Sequence, residues 1–190
     1  VEKSVVRITQ TLDYSCAANV TSCTDLMTSF ASNISTTDAC ATDLSSQNPL
    51  IQQAHSGLLA YKPLYTASCL RNPLTSAYCF ADAITNASNP ASSYIYFLPL
   101  NNSLVGGSQP TCSTCLKNTM AVFEAATADR SSALASDYVS AATQVNINCG
   151  PGFVNASLAA ATTSSAPARA TYPGSVGLFT LVLILASWFL

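Results

Sequence analysis

Charge is what this chain has least of. Only 8 % of its 190 residues are charged, seven basic against nine acidic, for a net charge of −2 and a pI near 5. That balance gives no electrostatic footprint for nucleic acid, and none is expected as a partner. Histidine is nearly absent too: His55 is the only one, and it sits on the apolar face of an expected helix. A Ser-His-Asp arrangement would have to use it, and the G-x-S-x-G elbow is missing, because Gly106-Gly107-Ser108 runs on into Gln109-Pro110. There is no Walker A sequence, and Gly150-Pro151-Gly152 begins like a dinucleotide fingerprint but ends in Asn155. With one histidine, none at the N-terminus, and a single Cys-x-x-Cys, neither a zinc nor a copper site is supported. No cofactor and no metal are expected.

What the chain does have is cysteine. Cys16, Cys23, Cys40, Cys69, Cys79, Cys112, Cys115 and Cys149 make an even set of eight, which reads as four disulfides of an oxidising compartment. The connectivity stays open, since eight cysteines allow about 105 pairings. Their wide spread implies one stapled domain. The run Cys112-Ser-Thr-Cys115 admits a redox dithiol, but the β-α-β context that would support one is missing. Structural bridges, each cysteine pairing elsewhere, are the expectation.

Helical spacing recurs from residue 15 to 149. Val20, Cys23, Met27 and Phe30 fit one face, as do Cys112, Leu116, Met120 and Phe123, and again Leu134, Tyr138, Ala141 and Val145. Asn48-Pro49 supplies an N-cap followed by proline at the first helical position, and Asn72-Pro73 repeats that signal. Gly150-Pro151 supplies a stop. Ser92 to Leu100 (SSYIYFLPL) reads as a short strand or extended segment, with Ser4 to Gln10 its one weak partner. The expected fold is mainly α: a single disulfide-stapled helical domain with at most a short strand or hairpin. Its divisions are an extended segment over 1–10, the cysteine-rich domain over 11–155, a tether over 156–175 and a hydrophobic signal over 176–190.

The tether and tail set the expected compartment. Twelve of the fifteen residues from Ala156 to Ala170 are Ala, Ser or Thr, too little apolar surface to offset the entropy of ordering them. The 15 uncharged residues from Val176 to Leu190 would span about 22 Å as a helix, short of the roughly 30 Å of a hydrocarbon core. Small residues, a polar spacer and a terminal apolar run form the signal for a glycosylphosphatidylinositol (GPI) anchor, with Ser164 as the attachment residue. Five N-glycosylation sequons, at Asn19, Asn33, Asn86, Asn101 and Asn155, agree with an exported glycoprotein. The chain starts at Val1, so a leader is expected to have been removed already unless the sequence is a fragment.

Chemistry is harder to place. Asp38, Asp43, Asp82, Glu124, Asp129 and Asp137 are the carboxylates from which a glycosidase pair could be drawn, although most sit in apparent caps or surface turns. Tyr94, Tyr96 and Phe97 could stack on sugars or pack into the core. NPLIQQAHSGLLAYKPLYTASCL at 48–70, YCFADAITN at 78–86, CSTCLKNTMAVF at 112–123 and QVNINCGPGFVN at 144–155 together resemble a family of ascomycete secreted proteins. That family has an uncharacterised cysteine-rich domain and usually a GPI signal. The resemblance implies a fungal cell surface and a shared disulfide core, and it carries no catalytic residue. Hydrophobins need adjacent cysteine doublets, absent here, and the haem-binding CFEM domain has a denser cysteine pattern. The expected role is structural, adhesive or ligand-binding at the cell wall, with wall polysaccharide and, through the anchor, the membrane as partners. The rival expectations are an extracellular carboxylate enzyme acting on wall glycans and a thiol-disulfide oxidoreductase using Cys112 and Cys115.

Overall fold

A computed structural model describes residues 4–162. Ser164 and the hydrophobic run over 176–190 lie outside the described residues. Among the described residues eight α-helices follow in order: α1 Val5–Ser15, α2 Val20–Ile34, α3 Ala41–Ser45, α4 Pro49–Leu59, α5 Tyr61–Ser68, α6 Cys79–Thr85, α7 Thr114–Ala126 and α8 Ala133–Cys149. A 3-10 helix, Pro90–Leu100, lies between α6 and α7. Among the described residues there is no strand, only an isolated bridge between Arg71 and Tyr78, and no helix is long and apolar enough to cross a membrane.

The core is built on α7 and α8. Leu116, Met120 and Phe123 of α7 interlock with Leu134, Tyr138, Ala141, Ala142 and Val145 of α8, and all are buried. Their spacing of three and four residues puts each set on one helical face. Ser113 caps α7 by accepting the Leu116 N–H at 3.2 Å, and Gly150 ends α8 with φ +102°, a backbone that disfavours any side chain. Beyond it, residues 150–162 fold back over both helices as a strap. Asn146 closes a two-way amide bridge with the Val154 backbone, and the Tyr138 hydroxyl donates to the Asn155 carbonyl at 2.8 Å. Further along, the Thr127 hydroxyl takes the Ala159 N–H.

Four readings of the local structure need correcting. The tether expected over 156–175 does not begin at 156: Ala156 and Leu158 pack against the core, and the Thr162 N–H donates to the Ala128 carbonyl. The segment over 1–10 is not extended: Ser4 caps α1, whose Leu12 packs with Tyr78 and Ala81. Asp13 holds that end by accepting from both the Tyr78 hydroxyl and the Arg71 guanidinium, which also stacks on the Tyr78 ring at 3.3 Å. Asn72-Pro73 starts a turn and not a helix: Ser76 takes φ +59°, and the chain doubles back through the Asn72 N–H to Ala77 C=O bond. Ser92 to Leu100 is not a strand. With three residues per 3-10 turn, positions i and i+3 share a side. Ile95 and Leu98 are accordingly 1 % and 0 % exposed, while Tyr94 and Phe97 are 40 % and 48 % exposed.

The disulfides bind Cys16 to Cys69, Cys79 to Cys115 and Cys112 to Cys149. The expected fourth bridge is absent, and Cys23 and Cys40 are free thiols. The reason is the length of α2. The Cys40 N–H donates to the Ile34 carbonyl, eleven residues along from Cys23, so the two cysteines stand about 16 Å apart at 1.5 Å per residue. A disulfide tolerates at most about 7 Å between Cα atoms. This layer also buries least: α2 buries only Ala31, and α3 and α4 bury no residue fully.

The bridges should therefore differ sharply from the free thiols in their effect on stability. The Cys79–Cys115 loop spans 36 residues, for which the chain-entropy model gives about 4 kcal/mol. Urea unfolding of a Cys79→Ala/Cys115→Ala variant should show a loss of that order, whereas Cys23→Ser and Cys40→Ser should each stay within about 1 kcal/mol of the parent. Equal losses in the two classes would contradict the assignment.

Candidate functional site

Where α6, the 3-10 helix and the start of α7 meet, they leave a cavity of about 150 Å³. An apolar cavity of that size accepts a single benzene ring, so there is room for one six-membered ring. Asp82 and Asn86 line it from α6, Ser92 and Tyr96 from the 3-10 helix, and Thr111, Ser113 and Thr119 from the α7 side. The Cys79–Cys115 disulfide forms part of the wall, so the covalent tie between α6 and α7 also sets the width of the cavity.

Its rim is a compact polar network. Thr111 Oγ1 receives the side-chain amides of Asn86 at 3.4 Å and Asn89 at 3.1 Å, and lies 3.2 Å from the Ser92 hydroxyl. Ser92 Oγ in turn takes the Thr111 N–H. The Asn86 side-chain oxygen Oδ1 accepts the Asn89 N–H, turning the chain out of α6 and into the 3-10 helix. At the floor, the buried Tyr96 and Thr119 hydroxyls share a hydrogen bond of 3.2 Å. Burial pushes the Tyr96 phenol up to about 12, outweighing the downward pull of the Thr119 bond, and the Asp82 carboxylate adds a smaller upward push. Tyr96 is therefore a neutral hydroxyl at any physiological pH. Phe80 and Phe123 meet its ring edge-on, with centroids 4.8 and 6.4 Å away.

The other sequence candidates are scattered. Of the carboxylates, Asp82 alone lines the cavity. Glu124 accepts from the Asn155 side chain at the strap, Asp43 accepts from Asn48, and Asp129 holds the turn at Ser131. Asp38 lies in an exposed turn, Asp137 is half-buried on α8, and His55 is half-buried on α4. The chain thus brings no second carboxylate into the cavity among the described residues. No group of three His, Cys, Asp or Glu side chains there could hold a metal ion. Cys112 and Cys115 serve two different bridges.

The sequons also separate by environment. Asn19 caps α2 through its side-chain oxygen, and Asn33 and Asn101 are exposed, Asn101 with φ +62°. The Asn155 amide nitrogen is engaged by Glu124, and that of Asn86 by Thr111 in a half-buried setting. Sequence reasoning missed Asn89, Ser92, Thr111 and Thr119, because nothing local marks them. Asn86, through its sequon, Tyr96, through its aromatic run, and Asp82, as a candidate carboxylate, did carry a signal.

Fold and cavity together define, over the described residues, a disulfide-stapled helical domain with a small pocket whose one charged lining residue is Asp82. Residues 1–158 match the family described as a domain of unknown function (DUF7729), and the chain belongs to that family. No curated protein and no solved structure matches the chain significantly.

Tyr96 makes the pocket's environment measurable. Its folded-state value lies above the ordinary 10.0, so its contribution is complete below pH 10 and is lost as pH climbs towards 12. The loss is about 3 kcal/mol for a shift of that size. Tyr138, also raised by burial, adds to the same alkaline limb. Tyr96→Phe should cost about 1–2 kcal/mol at neutral pH by stranding the Thr119 hydroxyl. It should also flatten the fall in urea-derived stability above pH 10. Parallel pH curves for the two proteins would show that the phenol is not desolvated.

Proposed function

We propose that the chain is a glycosylated, non-catalytic module of the fungal cell surface, held by a GPI anchor at Ser164, whose pocket takes a single sugar unit of wall polysaccharide. The observation that carries this reading is the lining of the cavity. Neutral hydroxyls and amides with one carboxylate at the rim suit a polyhydroxylated ring, because each can donate to or accept from a sugar hydroxyl without burying a charge. The chemistry for turnover is thin by comparison. General acid-base hydrolysis of a glycosidic bond needs two carboxyl groups roughly 5–10 Å apart, and Asp82 lines the cavity alone. Nucleophilic or thiol catalysis needs an activated group, and the cavity's own cysteines, Cys79 and Cys115, are joined to each other.

The surrounding features support the compartment. Three disulfides in a domain of this size belong to an oxidising environment. Scarce charge and five sequons suit a protein kept soluble by glycans. The strap is bound to the domain as far as Thr162, and we read the Ala/Ser/Thr-rich sequence that follows as the link to the anchor.

Calorimetric titration of the domain prepared without N-glycans, so that the cavity is open, with β-1,3-glucan and chitin oligosaccharides should detect binding to one of them. Asp82→Asn and Thr111→Val should each weaken it about tenfold, the loss of roughly one hydrogen bond. No binding, or binding untouched by both substitutions, would sink the pocket assignment. Release of the surface protein by a phosphatidylinositol-specific phospholipase, with the released chain ending at a Ser164 that carries the anchor's ethanolamine, tests the anchor separately.

A further inference from the structure

Asn86 belongs at once to a sequon and to the cavity wall. Its partner hydroxyl, Ser88, is exposed, whereas its own side chain is half-buried with the amide nitrogen turned to Thr111 Oγ1 at 3.4 Å. Both Asn86 and Thr111 line the cavity. We infer that the cavity is the seat of the first N-acetylglucosamine of a glycan carried on Asn86 itself.

The chemistry permits it. N-glycosylation replaces one of the two amide hydrogens: the nitrogen bonds to the anomeric carbon, the lipid diphosphate of the donor leaves, and one N–H remains. That hydrogen keeps the bond to Thr111, and the sugar then projects from a nitrogen already at the mouth of a ring-sized space. Asn89, Ser92 and Ser113 stand around it as neutral hydrogen-bonding groups. Attachment makes the encounter intramolecular, so a pocket that binds a free monosaccharide only weakly would still be filled. The remaining sequons have no such arrangement. Asn33 and Asn101 are exposed without side-chain partners, and Asn155, though its amide is engaged by Glu124, is exposed and lines no cavity of this kind. The inference rests on reading the pocket as a carbohydrate site, and it adds that a chain glycosylated at Asn86 supplies its own occupant and excludes an outside sugar.

The test is site-resolved removal of glycans by a peptide-N-glycosidase from the full chain secreted by a glycosylating eukaryotic host. Each released Asn is scored by its conversion to Asp. In the native protein, Asn86 should be occupied and should lose its glycan at least tenfold more slowly than Asn33, Asn101 and Asn155. After reduction and denaturation all four should be released alike. Thr111→Val should bring native release at Asn86 towards the rate at the other sites without changing theirs. An Asn86 that is unoccupied, or is released natively as fast as Asn33, overturns the inference. Titration of the Ser88→Ala variant, which cannot be glycosylated at Asn86, with the same wall oligosaccharides tests the outside-ligand reading on its own. A failure there leaves the protection result unchanged, so the two ideas fall separately.

Discussion

The structure depends on how helix α7 is tied at its beginning. Cys112 and Cys115, three residues apart, carry the N-terminus of α7 to two different places: the end of α8 through Cys149 and the start of α6 through Cys79. A helix held at its first turn from two sides has little freedom to rotate. Its apolar stripe of Leu116, Met120 and Phe123 is thereby presented to the matching stripe of α8. The same two ties leave the cavity between α6 and α7. Packing of the core and width of the pocket thus follow from one covalent arrangement. The layer of α2, α3 and α4, outside the reach of these two bridges, is the part that buries least.

Neutrality is the second governing feature. Among the described residues the sole ion pair is Arg71 with Asp13, at the surface, and every buried side-chain nitrogen or oxygen has a hydrogen-bond partner. Polar groups are satisfied by amides and hydroxyls: Asn146 with the strap, Tyr138 with Asn155, Tyr96 with Thr119. A site made this way can recognise shape and hydroxyl pattern, but it has little with which to move a proton. Binding follows more readily from it than turnover does.

Much of the helical frame was legible in the sequence, for stated reasons. The stripes of α7 and α8 are long and regular, and Asn48-Pro49 caps α4 as its chemistry requires. Local signals failed where a distant contact decided the outcome. Residues 4–10 look strand-like until Leu12 and Asp13 dock on Tyr78. Ser92 to Leu100 is rich in strand-favouring side chains, yet with no partner strand it winds into a 3-10 helix that buries Ile95 and Leu98. Counting cysteines gave four bridges, and only the unbroken length of α2 shows why Cys23 and Cys40 stay apart. The cavity was not legible at all, because Asn86, Ser92 and Thr111 meet across about twenty residues of chain.

The most direct test of the account is a disulfide map of the native protein, made by alkylating free thiols and sequencing peptides by mass without prior reduction. The account predicts Cys16–Cys69, Cys79–Cys115 and Cys112–Cys149 as the linked pairs, with the alkyl label on Cys23 and Cys40. A bond between Cys112 and Cys115 would contradict it: α7 would lose both ties, the cavity would lose a wall, and a redox dithiol would return as the leading idea.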